Sequence, residues 1–216
     1  NTRLYAIHGN HDVHFHYQMH PTLVNRFNAA FNTTGVNLIK EKITTLDGRE
    51  EVVNFVTINS MAMDGDGCNF CIQAREQLGT ISRKLNNSSS PPFVLQHFPT
   101  FRTSDEKCID KNSVNNATYR EKWETLSKEA SRMISRLLNP RAYFSGHTHH
   151  YCIHENDKGV KEYTVASFNW RNIDNPSFLL ATFTPHDYSI SKCDMPKESI
   201  VFMCYAIGAF LSIIIA

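Results

Sequence analysis

An α/β domain followed by a membrane-spanning helix is the fold class the sequence predicts, on three observations. Short β-branched or aromatic runs alternate with amphipathic stretches through the first two thirds. Two hairpin patterns follow, and the chain then enters a long apolar run without charge. The 216 residues, 41% hydrophobic and 20% charged, suit one globular domain and exclude disorder, collagen or coiled coil for the whole chain. Lys and Arg (22) and Asp and Glu (21) are balanced in both halves. No basic face is implied, so nucleic acid is not an expected partner.

Taken in order, residues 4–8 read as a short strand running into Gly9-Asn10. Residues 22–31 put Leu23, Phe27 and Phe31 on one helical face, with Thr22 as candidate N-cap. The β-branched run 52–59 predicts a strand, and 72–85 a helix with apolar positions at 74, 78, 81 and 85. Residues 93–96 form a short buried strand ending at His97, and the polar, Asn-rich stretch 99–120 reads as a functional or a mobile loop. Residues 122–138 give the clearest amphipathic helix, closed by Asn139-Pro140. A strand at 142–145 breaks at Gly146, and hairpins follow at 150–155 with 160–165 and at 178–184 with 187–192. The pattern indicates an α/β sandwich with a β-rich second half.

The apolar run 200–216 (IVFMCYAIGAFLSIIIA) has 17 residues without charge or proline. As helix it spans about 26 Å, close to a bilayer core of about 30 Å. A buried terminal helix usually carries a polar stripe, whereas Ser212 and Tyr205 are the polar groups here. The expected domains are therefore 1–195, a globular portion, and 199–216, a transmembrane helix whose span continues past the last residue. Glycosylation sequons at Asn32, Asn86, Asn87 and Asn116 favour a lumenal or extracellular face. Cys204 lies in the span, and Cys68, Cys71, Cys108, Cys152 and Cys193 remain. With no second C-x-x-C to complete a zinc knuckle, disulfides are the better reading, and the odd number leaves one cysteine free or paired elsewhere.

The chemistry lies in the histidines. Of 11, His8, His11, His14, His16 and His20 form one cluster and His147, His149, His150 and His154 another, while His97 stands at a strand end. Strand-to-loop transitions are where α/β folds build sites. In Gly146-His147-Thr148-His149 the glycine lets the backbone leave the strand, and imidazoles at i and i+2 of an extended segment project to one side. In Gly9-Asn10-His11-Asp12, Asn10 offers a metal a neutral oxygen, and Asp12 can hydrogen-bond His11 and favour a proton-donating imidazolium. Each motif has a plainer reading: a solvent-facing turn for the two tetrapeptides, and a satisfied core residue for His97. Asp64 and Asp66 in MDGDG lack the further ligands of a calcium loop and read as a turn.

The ordered set is more informative than its parts. Gly-Asn-His-Asp after a first strand, a His-x-Pro strand end 86 residues beyond His11, and Gly-His-x-His 50 residues further resemble three motifs of the calcineurin-like metallophosphoesterases. GNHDVHFHYQM (9–19), NSMAMDGDGC (59–68), SFNWRNIDNPSF (167–178) and CDMP (193–196), with the span, resemble one membrane-bound branch of that family. Its members remove a side-branch ethanolamine phosphate from the glycan of GPI anchors. The resemblance implies a sandwich of two mixed sheets flanked by helices, and two divalent metal ions, manganese by preference. It implies Asn10, His97 and His147 on one ion, His149 on the other, and His11 protonating the leaving oxygen with Asp12 supporting it. It further implies a GPI-anchored protein or GPI glycolipid as substrate, contact with cargo receptors, and lumenal residence at endoplasmic-reticulum exit sites, the intermediate compartment and the Golgi.

The family's Asp-x-His and Gly-Asp-x-x-Asp motifs have no counterpart here and are expected before residue 1. Two divalent ions bring four positive charges, while Asn10, His97, His147 and His149 are neutral donors, so the segment is expected to hold part of a site and to be inactive alone. Three alternatives stay open: another phosphoester substrate, a catalytically silent glycan or cargo receptor, and a single zinc held by His97, His147 and His149.

Overall fold

The computed structural model describes residues 2–45, 47–65, 67–86, 88, 90–110 and 117–215. Among these residues, eight strands form a six-stranded mixed sheet and a separate hairpin. In the large sheet the spatial order is β1 (Val36–Thr44), β2 (Glu50–Ile58), β3 (Phe93–Gln96), β4 (Ala142–Ser145), β6 (Lys161–Thr164) and β5 (Cys152–Glu155). The edge pairs β1–β2 and β5–β6 are antiparallel, while β2–β3, β3–β4 and β4–β6 are parallel. The expected second mixed sheet is, among the described residues, the antiparallel pair β7 (Ser177–Phe183) and β8 (Tyr188–Asp194).

Parallel neighbours need crossovers: helices join β2 to β3 and β3 to β4, while the chain passes from β4 to β6 through β5. The helix Asn69–Leu85 joins β2 to β3 and buries Cys71, Ala74, Leu78, Ile81 and Leu85 at helical spacing. The helix Lys128–Leu138 joins β3 to β4 and buries Ala130, Ile134 and Leu138. It starts later than the apolar pattern suggests because Ser127 Oγ caps the Ala130 N–H at 3.1 Å. It ends as predicted, with Asn139 left-handed before Pro140. The first of the long helices, Pro21–Phe31, is capped by His20 rather than Thr22: the His20 ring accepts the Thr22 N–H, and Pro21 sits in the first turn.

These helices cover one face of the sheet and bury Val56, Ile58, Val94 and Tyr143. The opposite face, with Val53, Phe93 and Tyr163, is packed by Leu179, Phe183, Tyr188 and Ile190 of the hairpin. Residues 4–8 form no strand. Leu4 and Tyr5 are exposed, and Arg3 and Tyr5 bond to Glu41 on β1 by side chains instead of joining a ladder.

The described parts of the long loop after β3 are held firmly. Cys108 is disulfide-bonded to Cys152 on β5, and Ile109 N–H donates to Ile153 O at 2.8 Å. Arg102, almost fully buried, bonds Asp105 at 2.8 Å, Glu162 at 3.3 Å and Thr164 at 3.1 Å. Glu162 also accepts from Thr100, and Asp105 from the Tyr119 hydroxyl. Cys68 pairs with Cys71, leaving Cys193 and Cys204 reduced. Of the sequons, Asn32 and Asn86 are exposed at helix ends, while Asn87 and Asn116, with Asp66 of the MDGDG turn, lie outside the described residues. A last helix, Glu198–Ile215, has mean hydropathy 2.1 and buries none of its residues, so it qualifies as a candidate membrane span.

Candidate metal centre

Because β3 and β4 are parallel neighbours, with Leu95 opposite Phe144, their C-terminal ends open at the same sheet edge. His97 follows β3 and His147 follows β4, so residues 50 apart in sequence stand side by side. Gly146 N–H donates to His97 O at 3.0 Å and locks the two exits together. Gly9 brings Asn10 against them: a Cβ there would meet Asp12 Oδ2 at 3.0 Å and the His97 ring at 3.4 Å.

Three donor atoms converge. Asn10 Oδ1 is 2.7 Å from His97 Nε2, which is 3.2 Å from His147 Nδ1. Neighbouring ligands on a six-coordinate ion with bonds of about 2.1 Å stand about 3 Å apart. The far side of His147 is fixed as well, since its Nε2–H donates to Trp123 O at 2.7 Å and keeps hydrogen off Nδ1. Burial, then the neighbouring charge of His147, pushes the His97 pKa down to about 3. Burial also pushes His147 down to about 4. Both imidazoles are neutral at physiological pH and free to ligate. The residues therefore fit the neutral half of a divalent-cation site; the compensating carboxylates are not among its described contacts.

The Gly-His-x-His geometry differs from the extended segment expected. Gly146 is not left-handed; His147 (φ 68°) and His149 (φ 66°) are. The strain falls on the histidines themselves, as at many functional sites. His149 is exposed and outside the close cluster, but its charge, like that of His11, is felt at His97 and His147. His149 is itself lowered by burial and by His150 and His11. Asp12 reaches back to the Gly9 N–H at 2.9 Å and closes the short helix Asn10–Val13, so its described bond is not to His11.

His8 and His16, also of the first cluster, serve the scaffold. His8 is buried, donates to Asn28 Oδ1 at 2.8 Å and packs on Phe27, and burial lowers its pKa. His16 bridges two segments, with Nδ1 2.9 Å from Met61 O and Nε2 2.6 Å from Lys122 O. Asp64 is more than a turn residue: it is buried, accepts the Ser127 N–H at 3.1 Å and lies 3.9 Å from His16 Nε2. Lys122 O and Trp123 O, on consecutive residues, thus hold His16 and His147, while Phe98 packs on His147 at 4.3 Å. Trp123 lies outside every motif, and its contact with His147 is visible only in the fold.

One further group, Asp105 with Cys108 and Cys152, brings its potential ligand atoms within 4.8 Å of one another. Both thiols are spent in the disulfide and the carboxylate is held by Arg102 and Tyr119, so it is structural.

No family model matches the chain. Curated proteins do. The chain is 45% identical over 227 residues to the Metallophosphoesterase 1 homolog of Drosophila melanogaster, covering 98% of this chain and 59% of that protein. It is 39% identical over 237 residues to Metallophosphoesterase 1 of Gallus gallus, covering 99% of this chain and 57% of that protein. The rat protein of the same name is also 39% identical, across the whole of this chain and 57% of its own length. The chain thus spans a little over half the length of these relatives. A solved structure titled "GAP50 the anchor in the inner membrane complex of Plasmodium" superposes with a TM-score of 0.47 at 13% identity, covering 62% of this chain and 38% of that one, too slight a likeness to bear on function.

Proposed function

The chain belongs to the metallophosphoesterase 1 family, and from that premise we propose that it carries the histidine half of a metal-dependent phosphodiesterase site. The observation that carries this reading is the convergence of Asn10 Oδ1, His97 Nε2 and His147 Nδ1. Asn10, His97 and His147 hold one divalent ion and His149 a second, manganese in both places. Bound divalent ions supply positive charge to a phosphoester and an ionised water as nucleophile.

The chain's own residues do the rest. Trp123 O sets the His147 tautomer, and the β3–β4 pairing holds His97 and His147 in register. His11 faces the cluster from an exposed position and gives its proton to the leaving oxygen. Asp12 keeps the Asn10–His11 turn closed through Gly9. The carboxylates that balance two cations come from the part of the relatives' length that this chain does not span, which also completes the second sheet of a sandwich around β7 and β8. Residues 1–195 form the lumenal portion of the domain, 199–216 anchor it, and the segment alone is inactive.

The substrate we propose is the side-branch ethanolamine phosphate of a GPI glycan, released during export of GPI-anchored cargo through the early secretory pathway, where cargo receptors are partners. The motif resemblance at 167–178 and the apolar helix support it: an enzyme tethered at a bilayer works where a lipid-anchored substrate is confined. The test is manganese-dependent release of ethanolamine phosphate by a chain of the relatives' full length. Release that survives His149→Ala contradicts the site; binding of GPI glycan without hydrolysis favours a receptor instead.

A further inference from the structure

The metal centre is tied to the start of the apolar helix by one loop. Ser167 N–H donates to His149 O at 3.1 Å. Three residues on, Trp170 Nε1–H donates to Pro196 O at 2.9 Å, and Met195 N–H donates to Pro176 O at 2.7 Å. Pro196 lies two residues before Glu198, the first residue of the apolar helix. At no more than about 3.6 Å per residue, that leash is about 7 Å. The Trp170 indole is thereby tethered close to the first residue of the apolar helix.

The side chains suit that position. Phe168 is 62% exposed and meets Phe178 edge-on at 5.7 Å, and Leu180, 59% exposed, extends the same apolar patch. Arg171 and Lys197 are exposed and take no side-chain partner among the described residues. The acids of this stretch are Asp174, Asp194 and Glu198, and Lys192 pairs with Asp194 at 2.9 Å. Indole rings favour the membrane–water interface, where the ring is half desolvated and its N–H stays bonded, and guanidinium groups favour phosphate.

We propose that Phe168, Trp170 and Arg171 form a membrane-interface contact, with the two rings among the lipid headgroups and Arg171 on headgroup phosphate. This contact holds the His149 side of the site at the lipid surface. It rests on the reading of Glu198–Ile215 as a span. It explains how a phosphoester carried a short distance above a bilayer meets the histidines without the domain reaching away from its anchor.

The test uses the full chain in phosphatidylcholine nanodiscs whose acyl chains are brominated either near the headgroup or near the methyl end. The sequence holds two tryptophans, Trp123 and Trp170, so the emission lost in Trp170→Phe reports Trp170. We expect that component to be quenched at least twofold by headgroup-proximal bromine and less by methyl-end bromine, and Phe168→Asp to reduce the quenching. Absence of quenching by either lipid, or stronger quenching by the deeper bromine, overturns the contact. Phe210→Trp in the Trp170→Phe background separates the two readings. Quenched by deep bromine while Trp170 is untouched, it leaves the span intact and removes the interface contact; unquenched, it removes both.

Discussion

His147 and Trp123 are joined by a 2.7 Å hydrogen bond from the imidazole Nε2–H to the main-chain carbonyl, so Nδ1 faces His97 without a hydrogen of its own. A main-chain carbonyl is a durable choice of partner: no side-chain substitution removes it, but any change that moves the 122–123 segment misaligns it. His16, on the Lys122 carbonyl, is positioned to do that.

His16→Ala removes the ring that lies between the Met61 and Lys122 carbonyls and leaves a buried acceptor short of a donor beside Asp64. A cost of about 2–3 kcal/mol is expected from a buried acceptor losing its partner. Denaturant unfolding reads the loss, and imidazole nitrogen NMR is expected to show His147 as a tautomer mixture. A single, unchanged Nε2–H tautomer would make the segment rigid without His16.

Acid is expected to destabilise the metal-free chain through His97 and His147. Their folded pKa values, about 3 and about 4, lie below the unfolded value of 6.5. Below pH 6.5 the unfolded chain takes up protons that the folded one refuses, so stability falls with pH until about 4 for His147 and about 3 for His97, and is fully restored above about 7. At pH 5 each imidazole costs on the order of 2 kcal/mol. Thermal unfolding from pH 7.5 to 5 is expected to steepen in wild type and to flatten in His97→Gln.

Arg102→Ala strands Glu162 and Asp105 as buried charges. A loss of about 3–5 kcal/mol is expected in chemical denaturation. Arg49→Ala, which opens a solvent-exposed pair with Asp47, is expected to leave the denaturation midpoint nearly unchanged. Equal effects would mean that the buried network is hydrated.

Breaking Cys108–Cys152 releases a 44-residue loop in the unfolded chain. About 4 kcal/mol is expected on the loop-entropy model. Cys108→Ser should also speed amide exchange at Ile109, whose N–H bonds β5. Unchanged exchange there would place the anchoring in the Arg102 network alone.

Much of this architecture is legible in periodicity. The strands at 93–96 and 142–145 follow from short apolar runs, because both of their faces are covered, by the helices on one side and by the β7–β8 hairpin on the other, and the buried face of 72–85 follows from apolar positions at helical spacing. Residues 4–8 mislead: an apolar run encodes a strand only where a neighbour offers a ladder, and these residues lie by β1 through side chains instead. The motifs identify Asn10, His97 and His147, but not that His147 and His149 are left-handed, which depends on how the β4 exit is held. Glu162 reads as one polar position of an edge hairpin, yet its carboxylate is buried by Arg102 from a loop 60 residues away. Nothing in local sequence encodes such a long-range pairing.

His97 and His147 are proposed to bind one divalent cation together. Electron spin-echo spectroscopy of Mn(II) added to protein labelled with 15N-histidine tests it most directly. Coupling to directly bound imidazole nitrogen, lost in His97→Ala and in His147→Ala, is the predicted result; bound Mn(II) without imidazole coupling, or coupling that survives both substitutions, would contradict it.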